Sequence, residues 1–587
     1  MSLKSLMVLA GVLSVGAGSF LHSDGDQMSI VYGSSRRPNI VFILTDDQDL
    51  HMNSLDYLPF IKKHLIDQGT LYKRHFCTTA VCCPSRVTLW TGKAAHNTNV
   101  TDIFPPYGGY PKFVAEGHNE NYLPKFLQDV GYNTYYTGKL FNAHTVDNYH
   151  SPHAAGWTGS DFLLDPFTYS YLNATFQRNK DPPVSYEGEY STDVLAGKAL
   201  GFLDDAVAAS KPFFLGIAPV APHSNVQSNV IGNGIVATPP IPAERHAHLF
   251  PDAIVPRTDN FNPEKESGAS WVRQQPRQSD ENVAFNDHFY RNRLRALQAV
   301  DELVDSVVSK LEDYGILDET YIFYTTDNGY HIGHHRLQPG KECGYEEDIN
   351  IPLIIRGPQV PEGKVAEVVT THQDLVPTIM GLARAPLRAD FDGLAIPLTE
   401  DDFGDAAKTR HEHVTVEYWG FAASEGPWGY FGRNESFVFN NTYKALRVVS
   451  DEYNLYYSVW CNNEHELYDL NTDPGQLNNL LHEVSKATLL LGLPIEKIVS
   501  RLDSLLLVTK SCKGPICTHP WRSLHPQGNV DTLRDALSPR FDIFYQKQQV
   551  RVEYSRCEMG YLVDAEGPQF ERDGLVYWKG LHWSDWV

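Results

Sequence analysis

The chain has 587 residues, 42% of them hydrophobic and 21% charged. That excludes a disordered polymer and predicts one large domain with a smaller companion, since a single core stops growing near ~250–300 residues. Forty-nine Lys and Arg against 72 Asp and Glu leave a formal net charge of −23. Phosphate contacts need clustered cations, so a nucleic-acid binder is excluded, and the summed field disfavours a highly charged polymeric anion unless a local basic pocket overrides it.

Residues 1–19 hold Lys4, an apolar run from Leu6 to Val15 and the small residues Gly16, Ala17, Gly18 and Ser19, the pattern of a cleaved secretory signal. The run is short of bilayer thickness, and no later stretch is long enough to span a membrane. Sequons at Asn99, Asn173, Asn434 and Asn440 agree with a secreted, cell-wall, periplasmic, vacuolar or lysosomal glycoprotein. Eight cysteines are too few to replace a core. Cys512 and Cys517 are expected to pair locally, with Cys461 and Cys557 as further candidates, although spacing alone leaves connectivity open.

After Arg37-Pro38 the run Asn39–Thr45 is apolar throughout, as expected of a strand covered on both faces, and ends in Asp46-Asp47. Thr134–Thr137 leads to Gly138-Lys139, 212–218 to Pro222-His223, and 321–326 to Asp327-Asn328. Leu294, Leu297, Val300, Val304, Val307, Val308 and Leu311 recur at helical spacing before the last of these. Strands alternating with helices predict an α/β fold, a central mixed, mostly parallel sheet flanked by helices over residues 38–400. The segment 232–289 is rich in Pro, Asn, Asp and Arg without period and reads as a long surface excursion. Residues 401–587 carry aromatic, β-prone segments such as 443–449 and 455–460 and a helical pattern over 488–507, which predict a smaller antiparallel sheet subdomain.

Ligands in such sheets bind beyond the carboxyl ends of the strands, which nominates Asp46, Asp47, Lys139, His223, Asp327 and Asn328. Asp46, Asp47, Asp327 and Asn328 offer only oxygen, which favours a hard cation, calcium before magnesium; singly, such pairs serve equally well as turns or caps. Lys139, His223 and Lys341 are the candidate cations and proton donors. Cys82-Cys83-Pro84-Ser85-Arg86-Val87, followed by Leu89-Trp90-Thr91-Gly92, reads as a short helix, with Pro in its first turn and Gly at its end. A reactive group at its N-terminus would face unpaired N–H donors, suited to a tetrahedral anion. Pairing of Cys77 with Cys82 or Cys83 is the alternative.

Cys82-x-Pro84-Ser85-Arg86 with Thr91-Gly92 resembles the type I sulfatase signature. Asp46-Asp47-Gln48, Gly138-Lys139, Ala221-Pro222-His223, Asp327-Asn328-Gly329-Tyr330-His331, Lys341 and the segment 466–474 follow in family order. The resemblance implies an alkaline-phosphatase-like fold, conversion of Cys82 to formylglycine by a formylglycine-generating enzyme, and calcium held by Asp46, Asp47, Asp327, Asn328 and the modified Cys82. It implies nucleophilic attack by the modified residue on a sulfate ester, with Arg86 and Lys139 orienting it and His223 and Lys341 holding sulfate oxygens and assisting the leaving group. Phe141 stands where many arylsulfatases carry a histidine, which brings the chain nearer the branch with N-acetylglucosamine-6-sulfatases; Asn142, and less readily His144, are the replacements considered. The expected activity is hydrolysis of a small aryl sulfate, with a sulfated sugar as the other substrate. A phosphodiesterase or phosphonate hydrolase and a noncatalytic glycoprotein with unmodified Cys82 are the alternatives.

Overall fold

The computed structural model describes residues 37–228, 235–433, 435–482, 485 and 488–570. The expected signal segment, residues 1–19, and Asn434 lie outside the described residues. Ten strands form the central sheet: β1 (Asn39–Thr45), β2 (Thr70–Tyr72), β3 (Asn133–Lys139), β4 (Gly159–Leu163), β5 (Asn173–Arg178), β6 (Val184–Glu187), β7 (Phe213–Ala218), β8 (Thr320–Thr326), β9 (Leu353–Arg356) and β10 (Lys364–Ala366). Their order is β10-β2-β9-β8-β1-β7-β3-β4-β5-β6. The middle five, β8-β1-β7-β3-β4, are mutually parallel, while β9 and β5 join antiparallel on either side. The sheet is therefore mixed and mostly parallel, with one block of aligned carboxyl ends.

Ile40 to Thr45 are all buried, so β1 shows no polar alternation. On one face Phe42 meets Phe323 (ring centroids 5.8 Å) and Trp90 (5.2 Å). Trp90 belongs to α1 (Cys82–Thr91) and also reaches Phe214 and Tyr136, each at 6.0 Å, which fixes this helix on the sheet. Gly92 ends α1 in the left-handed conformation, with φ 68° and its N–H on the Thr88 carbonyl. The opposite face, with Val41, Ile43, Leu215 and Ile217, is covered by α2 (Ser191–Ala208) and α3 (Asp280–Asp313).

The helix expected around 294–311 is longer, because Ser279 caps α3 by accepting from the Asn282 N–H. The final ten residues of the expected surface excursion are thus helical. From residue 260 on it is tied down more than its composition suggests: Trp271 and Val272 are buried, Asn260 Nδ2 donates to Glu347 Oε1 (2.7 Å), and Asn262 and Gln278 bond reciprocally. Such side-chain clamps leave no period in the sequence.

A second, antiparallel sheet follows in the order β11 (His413–Tyr418), β12 (Tyr443–Val449), β13 (Asn454–Trp460), β14 (His465–Asp469). One of its faces packs on α4 (Ile495–Thr509), joining Leu446, Val448 and Leu455 to Ile498, Leu502 and Leu505. The helix expected over 488–507 starts seven residues later, behind a short pairing of Leu489–Leu490 with Leu493–Pro494. Cys461 pairs with Cys557 and Cys512 with Cys517. Cys77, Cys82, Cys83 and Cys343 are unpaired and buried, so the alternative bridge from Cys77 does not form. Asn440 is exposed and Asn99 and Asn173 are half-buried. No described helix is long and apolar enough to cross a membrane.

Candidate active site

Because β8, β1, β7 and β3 are parallel neighbours, their carboxyl ends bring Asp327-Asn328, Asp46-Asp47, His223 and Lys139 to one mouth, although these residues lie up to 282 positions apart in sequence. The helix α1 presents Cys82 at its N-terminal end, 3.6 Å (Sγ to Oδ1) from Asp46. One turn on, Arg86 is fully buried; Nε donates to Asp327 Oδ2 (2.7 Å), Nη1 donates to the Lys139 carbonyl (2.6 Å), and Nη2 lies 3.6 Å from Asp46 Oδ2. Lys139 Nζ donates to Asp46 Oδ2 at 2.6 Å and lies 3.8 Å from Asp327 Oδ2.

Asp47 organises the other half. It adopts φ 65°, its N–H donates to Asp327 Oδ1 (3.0 Å), and its Oδ1 accepts from Asn328 Nδ2 (2.7 Å). Its Oδ2 accepts from Lys341 Nζ and lies 3.5 Å from His223 Nε2. All nine residues nominated by sequence for catalysis or metal binding, Cys82 among them in both roles, are thus gathered in one buried network.

Burial and the neighbouring Asp327 push the Asp46 carboxyl above its ordinary range, against Lys139 and Arg86. Asp327 feels the same burial, yet Arg86 and Lys139 outweigh it and hold its carboxyl well below the usual range. Burial would lower Lys139, but Asp46 and Cys82 raise it above the ordinary ammonium value. Burial also drives the Cys82 thiol far up, beyond what Lys139 and Lys341 offset. An unmodified Cys82 is therefore a neutral thiol and a poor nucleophile.

The donor set fits a hard cation. Three carboxylates cluster with Asn328, whose buried Oδ1 has no hydrogen-bond partner although its Nδ2 is used. Asp46, Asp47, Cys82 and His223 each offer a ligand atom within 4.8 Å of the others. An oxygen-seeking ion would favour the carboxylates over the imidazole in that group.

The expected replacements for the missing histidine sit differently from one another. Phe141 is buried against Phe113, ring centroids 4.5 Å apart. Asn142 Nδ2 donates to the Tyr169 hydroxyl (2.7 Å). The Tyr169 ring stacks on His223 at 4.2 Å and lies 4.8 Å from Lys139 Nζ. His144 packs on Tyr110 (4.2 Å), and neither of its ring nitrogens has a hydrogen-bond partner.

Three contributors escaped the sequence reading. Tyr169 lies in the loop between β4 and β5, and no local pattern marks it. Arg293 is hidden within the amphipathic pattern of α3, where it donates to the carbonyls of Asp47 and Pro222. Glu425, from the C-terminal half, accepts from Lys341 Nζ at 3.1 Å and from the Tyr330 hydroxyl at 2.8 Å. Burial opposes its ionisation, but Lys341 and His223 hold its carboxyl down at about 2.

Residues 38–385 match the sulfatase family model. The chain belongs to the sulfatase family. Residues 333–500 of this sulfatase also match the model for the C-terminal region of N-sulphoglucosamine sulphohydrolase. An arylsulfatase of Volvox carteri is 40% identical over 535 residues, covering 87% of this chain and 80% of the relative. The human N-acetylglucosamine-6-sulfatase is 30% identical over 523 residues, covering 84% and 87%. The solved structure of an enzyme in complex with its substrate D-glucosamine-2-N,6-O-disulfate superposes with a TM-score of 0.61 at 22% identity, over 76% of this chain and 94% of the other. That likeness establishes the alkaline-phosphatase-like sulfatase fold. The chain is a sulfuric ester hydrolase by family.

Proposed function

We propose that this sulfatase is a secreted arylsulfatase that hydrolyses small sulfate monoesters with a formylglycine made from Cys82 and a bound calcium ion. The observation that carries this reading is the placement of Cys82 beside Asp46, with Arg86 and Lys139 on the Asp46–Asp327 side and Lys341 and His223 on the Asp47 side. The identity to an algal arylsulfatase over most of both chains supports it.

In this reading Asp46, Asp47, Asp327, Asn328 and residue 82 hold the cation, which would supply Lewis-acid stabilisation of the sulfate charge. Formylglycine, installed by a formylglycine-generating enzyme, would supply the nucleophilic oxygen that Cys82 lacks. Arg86, locked by Asp327 and the Lys139 carbonyl, fixes the orientation of residue 82. Lys139 places its ammonium beside the same residue. His223 and Lys341 hold sulfate oxygens and deliver a proton to the departing alcohol. Residues 38–400 carry most of this chemistry, and the C-terminal part adds Glu425 beside Lys341.

A second reading, a glycan 6-sulfatase, is favoured by the identity to N-acetylglucosamine-6-sulfatase. Turnover of 4-nitrophenyl sulfate compared with glucosamine-6-sulfate glycans separates the two. The mechanism itself is tested by mass spectrometry of the peptide spanning Cys82 in active secreted protein. An aldehyde is expected there, and a peptide holding only thiol or disulfide rejects it. Cys82→Ala is expected to abolish aryl sulfate hydrolysis while Cys83→Ala largely preserves it.

A further inference from the structure

Glu425 lies 84 residues from Lys341 in sequence, yet its carboxylate is held directly against that ammonium. The placement is built. Glu425 N–H donates to the Pro339 carbonyl (2.8 Å), and two residues earlier the Ala423 N–H donates to Glu342 Oε2 (2.6 Å), so the strap is fastened on both sides of Lys341. Oε1 accepts from Lys341 and Oε2 from Tyr330, and the Ser224 side chain is a further hydrogen-bond partner of the carboxylate.

Exposure separates Glu425 from the other carboxylates of the site, and its partner separates it from Asp46 and Asp327. Asp46, Asp47 and Asp327 have side chains with no solvent exposure, whereas that of Glu425 is 12% exposed. Its ammonium partner is Lys341, which it shares with Asp47, whereas Asp46 and Asp327 are held by Arg86 and Lys139. Among the described site residues it is therefore the anion that an arriving leaving group meets beside its proton donors.

We propose that Glu425 sets substrate class, selecting sulfate esters whose leaving alcohol is uncharged and rejecting those with a second anionic group, carboxylate or sulfate, next to the scissile ester. This rests on the reading of Lys341 and His223 as leaving-group residues. A like charge brought within about 6 Å of Glu425 in a partly screened site costs roughly tenfold in kcat/KM. Loss of the carboxylate also loosens Lys341, which lowers turnover of every ester alike. Only the ratio between esters reports the selection.

The test uses 3-carbamoylphenyl sulfate and 3-carboxyphenyl sulfate, which match in size and differ in charge, with the calcium-loaded full-length enzyme. Wild type is expected to prefer the carbamoyl ester by about tenfold. Glu425→Gln is expected to bring that ratio to within about twofold of one, whatever its absolute rate, and Glu425→Asp, which keeps the charge, to retain most of the preference. A ratio unchanged in Glu425→Gln, or lost equally in Glu425→Asp, overturns the proposal. If wild type cleaves neither ester but desulfates a glucosamine-6-sulfate glycan, the aryl sulfate reading fails instead.

Discussion

Gly138→Ala is the substitution whose effect follows most directly from coordinates. Gly138 pairs with Ala218 across β3 and β7, one residue before Lys139. A Cβ there would lie 2.1 Å from the Ala218 carbonyl oxygen, 2.6 Å from its carbon and 2.9 Å from Leu195 Cδ1, with φ at +111°. Relief of that overlap needs the strands to part by roughly 1 Å, and the backbone conformation itself costs an L-residue about 1–3 kcal/mol. Overpacking adds about 1–3 kcal/mol, for a total of about 2–6 kcal/mol. Lys139 rides on the displaced peptide, and a ~1 Å misplacement of a positioning group costs on the order of 100-fold in rate. The assay is kcat/KM on 4-nitrophenyl sulfate together with the urea midpoint. Gly201→Ala is the control: its Cβ meets nothing within 4 Å inside α2, so the exchange should stabilise by about 0.5–1 kcal/mol and leave activity alone. If Gly138→Ala keeps kcat/KM within threefold and its urea midpoint matches wild type, the claim that strand spacing positions Lys139 is wrong.

Removing the Cys461–Cys557 bridge by a double Ser exchange opens a closed loop spanning 96 residues and should cost about 4–5 kcal/mol on the loop-entropy model, read from urea denaturation. Burial lifts Glu412 from 4.5 to about 7, against the Tyr453 hydroxyl and Leu533 N–H that donate to it. Its folded pKa therefore exceeds its unfolded one, so the stability it contributes is present below about pH 4.5 and is lost as pH rises towards 7. Glu412→Gln should flatten that slope, by up to about 3 kcal/mol between the two pH values. Calcium is expected in metal analysis of the active enzyme, and stoichiometric zinc would contradict the oxygen donor set.

The parallel middle of the sheet was legible because strands buried on both faces write uninterrupted apolar runs, as in Asn39–Thr45 and Thr320–Thr326. The polar residues after those runs then marked the mouth by topology. Lys341 and Cys82 are carried by loop and helix, and their order along the chain, matched to a known family, placed them where periodicity could not. Glu425 and Tyr169 were illegible for a plain reason. Each enters from a segment whose path is set by side-chain and backbone clamps such as Ala423 to Glu342, and those contacts leave no spacing to read. The start of α3 is hidden for the same reason, since Ser279 as a cap is indistinguishable from any serine in a polar stretch until its partner is seen.

Cys82 is 2% exposed, sealed beneath residues that arrive late in the chain. Arg86, one turn along the helix from Cys82, pairs with both Asp46 and Asp327, so this network around Cys82 cannot be completed before the end of β8 exists. About 235 residues separate the end of α1 from the end of β8. At ~5–20 residues per second, synthesis leaves the thiol reachable for about 12–47 s. If Cys82 is converted to formylglycine as proposed, that conversion is a race against the chain's own folding. A synonymous change that alters only the translation speed between those points would then shift the fraction of active molecules without altering the encoded sequence.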